Sequence, residues 1–103
     1  MNVDMMREAI DFYIGFLAPF KGIDVNWSRF NHCQAWVSEP LKHNNVTFRL
    51  VKSYNTIVGF INLNTCEYIE LGKWSRTTSK QVTQIYNAMF RSFERKFIDI
   101  ASN

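Results

Sequence analysis

The chain has 103 residues, of which 47% are hydrophobic and 16% are aromatic. This length suits one domain with one core, and this composition excludes an intrinsically disordered chain, which needs low hydrophobicity and high net charge. The net charge of +3 is unevenly spread, since residues 1–40 carry −2 and residues 41–103 carry +5. We therefore expect the C-terminal part to meet an acidic protein surface or a nucleic acid.

The sequence has no apolar run near the roughly 20 residues that a transmembrane helix needs. Its first residues lack the basic start and the continuous apolar stretch of a signal peptide. We therefore predict a cytoplasmic protein with no membrane partner. Cys33 and Cys66 would be free thiols in that reducing compartment. Together with His32 and His43 they match no zinc-binding spacing, so we predict neither a metal nor a cofactor.

The first predicted element is a helix from about Val3 to Leu17. Its apolar residues recur every three or four positions, as one buried face requires, at Val3, Met6, Ile10, Ile14 and Leu17. A second apolar stripe runs beside this face, at Met5, Ala9, Phe12 and Phe16. The helix is therefore either covered on two sides or partly engaged by a partner, and it should end at Pro19 and Gly22.

The middle of the chain predicts β-structure. Residues 23–44 lack a clean period and predict a short helix around Trp27–Phe30 and a short strand around Gln34–Val37. From Val46 onward three runs follow that are typical of strands, VTFRLVKS, TIVGFINL and CEYIELGKW. Short polar links join them, at Tyr54-Asn55 and Asn64-Thr65, as in hairpins. The pattern predicts a three-stranded antiparallel sheet over about residues 46–74.

The last predicted element is a long helix from about Ser79 to Ile100. Its apolar face follows helical spacing at Val82, Ile85, Tyr86, Met89, Phe93, Phe97 and Ile100, while Arg91, Arg95 and Lys96 are typical of a solvated face. The predicted fold class is α+β. In this fold a three-stranded antiparallel sheet (about 46–74) packs against the N-terminal helix (about 3–17) and the long C-terminal helix (about 79–100), which lie side by side.

The sequence matches no catalytic template. It contains no Ser/His/acid set in a credible context and no H-E-x-x-H, and Gly72-Lys73 lacks the glycine-rich stretch of a phosphate-binding loop. Glu67 and Glu70 are three residues apart, so on a strand they point to opposite faces and do not form a pair. We therefore predict that the protein is not an enzyme and that it has no catalytic residues.

The segment GKWSRTTSKQ, residues 72–81, has two interpretations. In the first it only starts a helix, with Thr78 as the N-cap and Gln81 reaching back to complete a capping box. In the second it binds something, because a helix N-terminus offers free amide donors and partial positive charge to an anion. The predicted partner-binding residues are Lys73, Trp74, Arg76 and Lys80, and the predicted anion-binding hydroxyls are Ser75, Thr77, Thr78 and Ser79.

The tripeptide Trp-Ser-Arg also occurs at Trp27, but the residues that flank the two copies do not match. We interpret this repeat as a coincidence. Trp and Arg are nevertheless the residues most enriched at interface hot spots, so two exposed copies would favour a protein interface. We expect Arg49 and Lys52 on the first predicted strand to extend the basic face of the last helix.

Residues 53–82 resemble a segment of small uncharacterised proteins from phages and other mobile elements, and the resemblance covers about a third of the chain. In that family a Tyr-x-Thr-x-Val-Ala strand leads through a hairpin to a Tyr/Trp-Ser-x-Thr-Thr-Ser-Lys/Arg motif and a helix. One departure is Gln81, since these proteins often have His soon after the cation. The matching residues are Tyr54, Thr56, Val58, Trp74, Ser75, Thr77, Thr78, Ser79 and Lys80.

The resemblance implies a phage or mobile-element origin and hence a location in the host cytoplasm. By analogy with other small proteins from such sources, we expect a protein that binds and inhibits a host protein such as a defence nuclease, as anti-CRISPR proteins do. Its partner would be that host protein, alone or in a nucleoprotein complex. The alternatives are a nucleic-acid-binding accessory protein that uses the basic C-terminal half, a nucleotide-binding protein, and a self-assembling protein such as a homodimer.

Overall fold

The computed structural model describes residues 2–14 and 25–100. These residues form one mixed sheet with the strand order β1-β2-β4-β5-β6-β7, and β3 pairs with the first half of β4. All paired strands are antiparallel except β6 and β7, which are parallel. The elements are α1 (Val3–Tyr13), β1 (Trp27–Arg29), β2 (Ala35–Ser38), β3 (Leu41–His43), β4 (Val46–Ser53), β5 (Thr56–Asn62), β6 (Glu67–Glu70), α2 (Arg76–Met89) and β7 (Glu94–Phe97).

The sheet is buried on both faces, because the side chains of its central strands alternate between two hydrophobic clusters. Phe48 of β4 and Phe60 of β5 stack in the cluster beneath α1, with ring centroids 4.6 Å apart. Val51 and Ile61 of the same strands belong to the cluster beneath α2. Since successive residues of a strand point to opposite faces, the two helices cover opposite faces of the sheet.

A bulge in β5 adjusts this alternation near the middle of the sheet. Val51 pairs with Gly59 but Lys52 pairs with Ile57, so Val58 has no partner across the ladder. Gly59 is required here, because a Cβ atom at this position would lie 3.0 Å from the Cβ atom of Val51. The bulge leaves Lys52 and Ile57 side by side on the α1 face.

The predicted three-stranded antiparallel sheet is wrong, because the sheet is mixed and has seven strands. The three predicted strands are present as β4, β5 and β6, and the other strands flank them. β1 and β3 have only three residues each, which is too short for a period of two to be recognised. β1 lies in the segment for which a short helix was predicted, and the predicted side-by-side helices lie on opposite faces.

The predicted helix from Ser79 to Ile100 is wrong at both ends. α2 ends at Met89, and the chain then returns as β7 alongside β6. Phe90 leaves helical geometry with φ −130°, and its ring packs against those of Tyr68 and Phe93. Without β7, the outer edge of β6 would have unpaired backbone groups. β7 pairs with this edge through ladder hydrogen bonds, which a continued helix could not form.

The predicted N-terminal helix starts where expected. Asn2 is its N-cap and accepts a hydrogen bond from the Met5 amide at 2.8 Å, as this residue type commonly does. The helix itself ends at Tyr13. The predicted continuation to Leu17, the second-stripe residue Phe16, and the stop signals Pro19 and Gly22 lie outside the described residues.

Two phenylalanines of the C-terminal segment test this correction. Phe90→Ala should lower the free energy of unfolding by about 3–5 kcal/mol, because the Phe90 ring is only 5% exposed in the core. Phe97→Ala should change it by about 0.5 kcal/mol or less, because Phe97 is 45% exposed on β7. Urea unfolding of both variants measures the difference. Equal large losses would favour the continuous amphipathic helix instead.

Candidate binding surface

The hydroxyl run at the start of α2 serves the fold at three of its four positions. Ser75 is the N-cap, and its hydroxyl accepts a hydrogen bond from the Thr78 amide at 3.3 Å. The hydroxyl of Ser79 donates to the Trp74 carbonyl at 3.4 Å. Thr78 is buried, and only Thr77 is exposed without a hydrogen bond to another described residue. The prediction that Thr78 is the N-cap of a capping box is therefore wrong, because the helix begins three residues earlier than expected.

Thr78 and Gln81 point into the protein, where they meet Ser53 of β4. The Ser53 hydroxyl donates to Gln81 Oε1 at 2.7 Å, and it lies 3.0 Å from the Thr78 hydroxyl. Because Ser53 has one proton and Gln81 receives it, Thr78 donates to Ser53. These buried bonds join the β4–β5 hairpin to the first turns of α2.

The side chain of Trp74 packs against the hydrophobic core and is not held out for a partner. Its ring contacts both hydrophobic clusters and covers Gly72, where a Cβ atom would lie 3.0 Å from Cζ2 of the indole. Its Nε1 atom is buried and has no hydrogen-bond partner among the residues that the structure describes. An indole in this environment stabilises the junction between β6 and α2, so its removal would disturb the fold as well as any partner contact.

The other predicted partner-binding residues are exposed. Lys73 lies in the link between β6 and α2, and Arg76 and Lys80 lie one turn apart on the outer face of α2. Within the part of the chain that the structure describes, these cations form no ion pair and no hydrogen bond through their side chains. They remain available to a partner.

A second group of cations and aromatic rings lies on the α1 face of the sheet, near its β1 edge. Lys52 Nζ is 4.4 Å from the ring centroid of Trp27 and 5.1 Å from that of Trp36. The Arg29 guanidinium is 5.8 Å from the Trp36 ring on the other side. We call Trp27, Arg29, Trp36 and Lys52 the basic aromatic surface.

Strand register explains why these four residues meet. Arg29 of β1 pairs with Trp36 of β2, and Trp36 pairs with Lys52 of β4, so the three side chains form one row across three strands. Trp27 is two residues before Arg29 and points to the same face, where it packs against the cluster beneath α1. Arg29 is exposed and the other three are half-buried.

The expected basic face of the last helix is not present, because those residues lie elsewhere. Arg95 and Lys96 are on β7, where they pair with Glu70 and Glu67 of β6 at 2.5 Å. Hydrogen bonds from Lys96 and Thr65 hold the pKa of Glu67 below its ordinary value, so this carboxylate stays charged and paired. These ion pairs join the parallel strands and leave little positive charge at that edge.

The basic aromatic surface was not predicted from the sequence. The first Trp-Ser-Arg was interpreted as a coincidence, and a short helix was predicted there. The usable signal was the alternation of Trp27 and Arg29, which places both on one side of a strand. The contribution of Trp36 and Lys52 depends on strand pairing between distant segments, which a local pattern does not show.

The buried hydroxyl network can be tested with two substitutions. Ser53→Ala should lower the free energy of unfolding by about 1–3 kcal/mol, because it leaves the buried Thr78 and Gln81 without their shared partner. Thr77→Ala is the matched control from the same hydroxyl run, and its effect should stay within about 0.5 kcal/mol. Chemical denaturation measures both. A similar loss for the two variants would contradict a network that depends on Ser53.

Across residues 2–14 and 25–100, no group of three or more His, Cys, Asp or Glu is placed to hold a metal ion. No helix in the same ranges has the length and hydropathy to cross a membrane. No protein-family profile, no curated protein and no solved structure matches this chain.

Proposed function

We propose that this chain is a non-catalytic binding protein that takes single-stranded nucleic acid on its basic aromatic surface. The observation that carries the proposal is the position of Lys52, whose ammonium group lies between the rings of Trp27 and Trp36. Proteins that bind single strands combine cations for the phosphates with aromatic rings on which bases stack. Both kinds of side chain alternate here within one row.

The cation–π contacts within the basic aromatic surface are weaker than the stacking contacts that a nucleic acid could form in their place. A cation–π contact at an exposed site is worth about 0.5–1 kcal/mol. Stacking of a base on an aromatic side chain is worth about 1–3 kcal/mol, and a phosphate then receives the displaced cation. Lys52 has a long side chain, so its ammonium group can turn from Trp36 to a phosphate, whereas Arg29 keeps its Nε hydrogen bond to the Cys33 carbonyl and offers its terminal nitrogens. A base that takes the place of Lys52 on the Trp36 ring gains more from stacking than the cation–π contact contributes.

The charge distribution supports the same partner. Residues 41–103 carry a net charge of +5, and Lys52, Arg76 and Lys80 belong to this part. Ser53 joins the strand that carries Lys52 to the first turns of α2, so the exposed cations of α2 lie at the same end of the sheet, on its opposite face. Such a concentration of positive charge attracts polyanions and speeds their association.

Neutral variants of the surface test the proposal. Arg29→Gln with Lys52→Gln should weaken binding of a fluorescent single-stranded oligonucleotide at least tenfold at low salt. It should also reduce the slope of log affinity against log salt by up to about 1.4, since each lost phosphate contact removes about 0.7. Glutamine keeps part of each aliphatic stem against the indoles. Because Arg29→Gln also removes the hydrogen bond to the Cys33 carbonyl, thermal unfolding checks that the variant keeps its fold.

Lys42→Gln with Arg91→Gln is the matched control, because both residues are exposed and lie outside the basic aromatic surface. It removes the same charge and should leave affinity within about twofold. Fluorescence anisotropy at several salt concentrations compares the two pairs. Equal weakening would indicate attraction by net charge alone, and no binding by the unmodified protein would refute the proposal.

A host protein is the second candidate partner, as expected for an inhibitor of a defence nuclease from a mobile element. One observation favours it, since two Trp and one Arg of the basic aromatic surface are the residue types enriched at interface hot spots. A pull-down from host lysate with and without nuclease treatment separates the candidates. A specific protein that is retained after nuclease treatment, and lost with Arg29→Gln and Lys52→Gln, would favour the host protein.

A further inference from the structure

A cleft separates the β1–β2 turn from the second half of α2, on the face of the sheet opposite the basic aromatic surface. Its volume is about 560 Å³, and its lining residues are Phe30, Asn31, Gln84, Asn87 and Ala88. A cleft of this size accommodates a small planar ligand or part of a larger one. Phe30 also packs against the cluster beneath α2, which fixes the floor of the cleft.

The turn that forms one wall is rigidly defined. Asn31 and His32 both have positive φ, 46° and 60°, and the Cys33 amide donates to the Phe30 carbonyl at 3.0 Å. Two left-handed residues closed by such a bond are typical of a type I′ turn, and Asn tolerates this conformation well. Arg29 Nε donates to the Cys33 carbonyl at 2.8 Å and holds the turn against the strand. The backbone of Asn31 is therefore fixed at the mouth of the cleft.

The polar side chains of the cleft are all carboxamides. Asn31, Gln84 and Asn87 each offer a donor and an acceptor, and none of them bonds to another described residue through its side chain. Phe30 adds an aromatic ring, and no charged side chain lines the cleft. This chemistry suits an uncharged, planar ligand that both donates and accepts hydrogen bonds, which is the chemistry of a nucleobase.

The helix that forms the other wall also carries the cations that a nucleotide needs. Arg76, Lys80 and Gln84 follow at intervals of four residues on α2, so they lie on one face of the helix. Lys80 lies about 6 Å along the helix axis from Gln84, and Arg76 about 12 Å. A base in the cleft would thus have phosphate-binding side chains immediately beside it.

We propose that this cleft binds a base of the nucleic acid, and that adenine fits it best. Adenine presents an adjacent donor and acceptor, N6 and N7, that a single Asn or Gln carboxamide matches with two hydrogen bonds. Guanine presents two acceptors on the same edge, which arginine or lysine matches better. The inference rests on the proposed function, and it adds a base-selective cleft on one face of the sheet to a basic aromatic surface on the other face that recognises any single strand.

Homopolymer oligonucleotides of equal length test the inference. The unmodified protein should bind oligo(dA) about tenfold more tightly than oligo(dT). Gln84→Ala with Asn87→Ala should bring the two affinities within about twofold, while the binding of oligo(dT) and its salt dependence stay unchanged. Met89→Ala is the control, because Met89 is exposed on the same helix outside the cleft lining. Thermal unfolding of each variant checks that the helix is intact.

The outcomes separate the two proposals. Equal affinity of the unmodified protein for both homopolymers would overturn the base preference and leave the proposed function in place. Binding of neither homopolymer would overturn both. A preference for oligo(dA) that persists in the variant with Gln84→Ala and Asn87→Ala would show that the base binds elsewhere. It would refute the assignment of the base-binding site to the cleft. A parallel titration with adenosine monophosphate distinguishes a free nucleotide from a base within a strand. Saturable binding that displaces oligo(dA) would indicate that the cleft alone suffices to bind the base.

Discussion

The structure depends on one constraint, which is that β4, β5 and β6 must be buried on both faces. Their side chains alternate between a cluster beneath α1 and a cluster beneath α2, and each cluster needs a helix to exclude water from it. The stacked pair of Phe48 and Phe60 fills the first cluster, and Tyr68 fills the second, where burial raises the pKa of its hydroxyl and Val82 accepts its hydrogen bond. A helix beside another helix on one face, as the sequence suggested, would have left half of these side chains in water.

Local patterns sufficed where an element is long and its neighbours are close in sequence. The strand that begins at Val46 and the next two strands follow from alternation and from polar links, and the first helix follows from its spacing and from Asn2. The C-terminal segment failed because Phe93 and Phe97 satisfy a helical period while the open edge of β6 favours a strand. That preference depends on residues more than 20 positions away, so no window along the chain contains it.

The same difference between local patterns and contacts of distant segments applies to the candidate site. The predicted site lies at the start of α2, where most of the segment serves the fold. Ser75 caps the helix, Thr78 and Gln81 bond to Ser53, and Trp74 is packed. The basic aromatic surface and the cleft are both assembled from segments that are distant in sequence. Pairing of β1 with β2 creates both of them. Arg29 at the end of β1 points to one face of the sheet, and the next residue, Phe30, points to the other.

The parallel pairing of β6 and β7 has a consequence for how the protein folds. Antiparallel partners such as β4 and β5 meet through a two-residue turn, whereas Glu67 meets Glu94 only after α2 has formed between them. All four residues of β7 are exposed, so little apolar surface is buried when it docks. We therefore expect β7 to be the last strand to join the sheet and the first to detach, with amide protons that exchange with solvent sooner than those of the hairpin strands. The chain thus combines a slowly exchanging sheet centre with an edge that opens without unfolding of the whole.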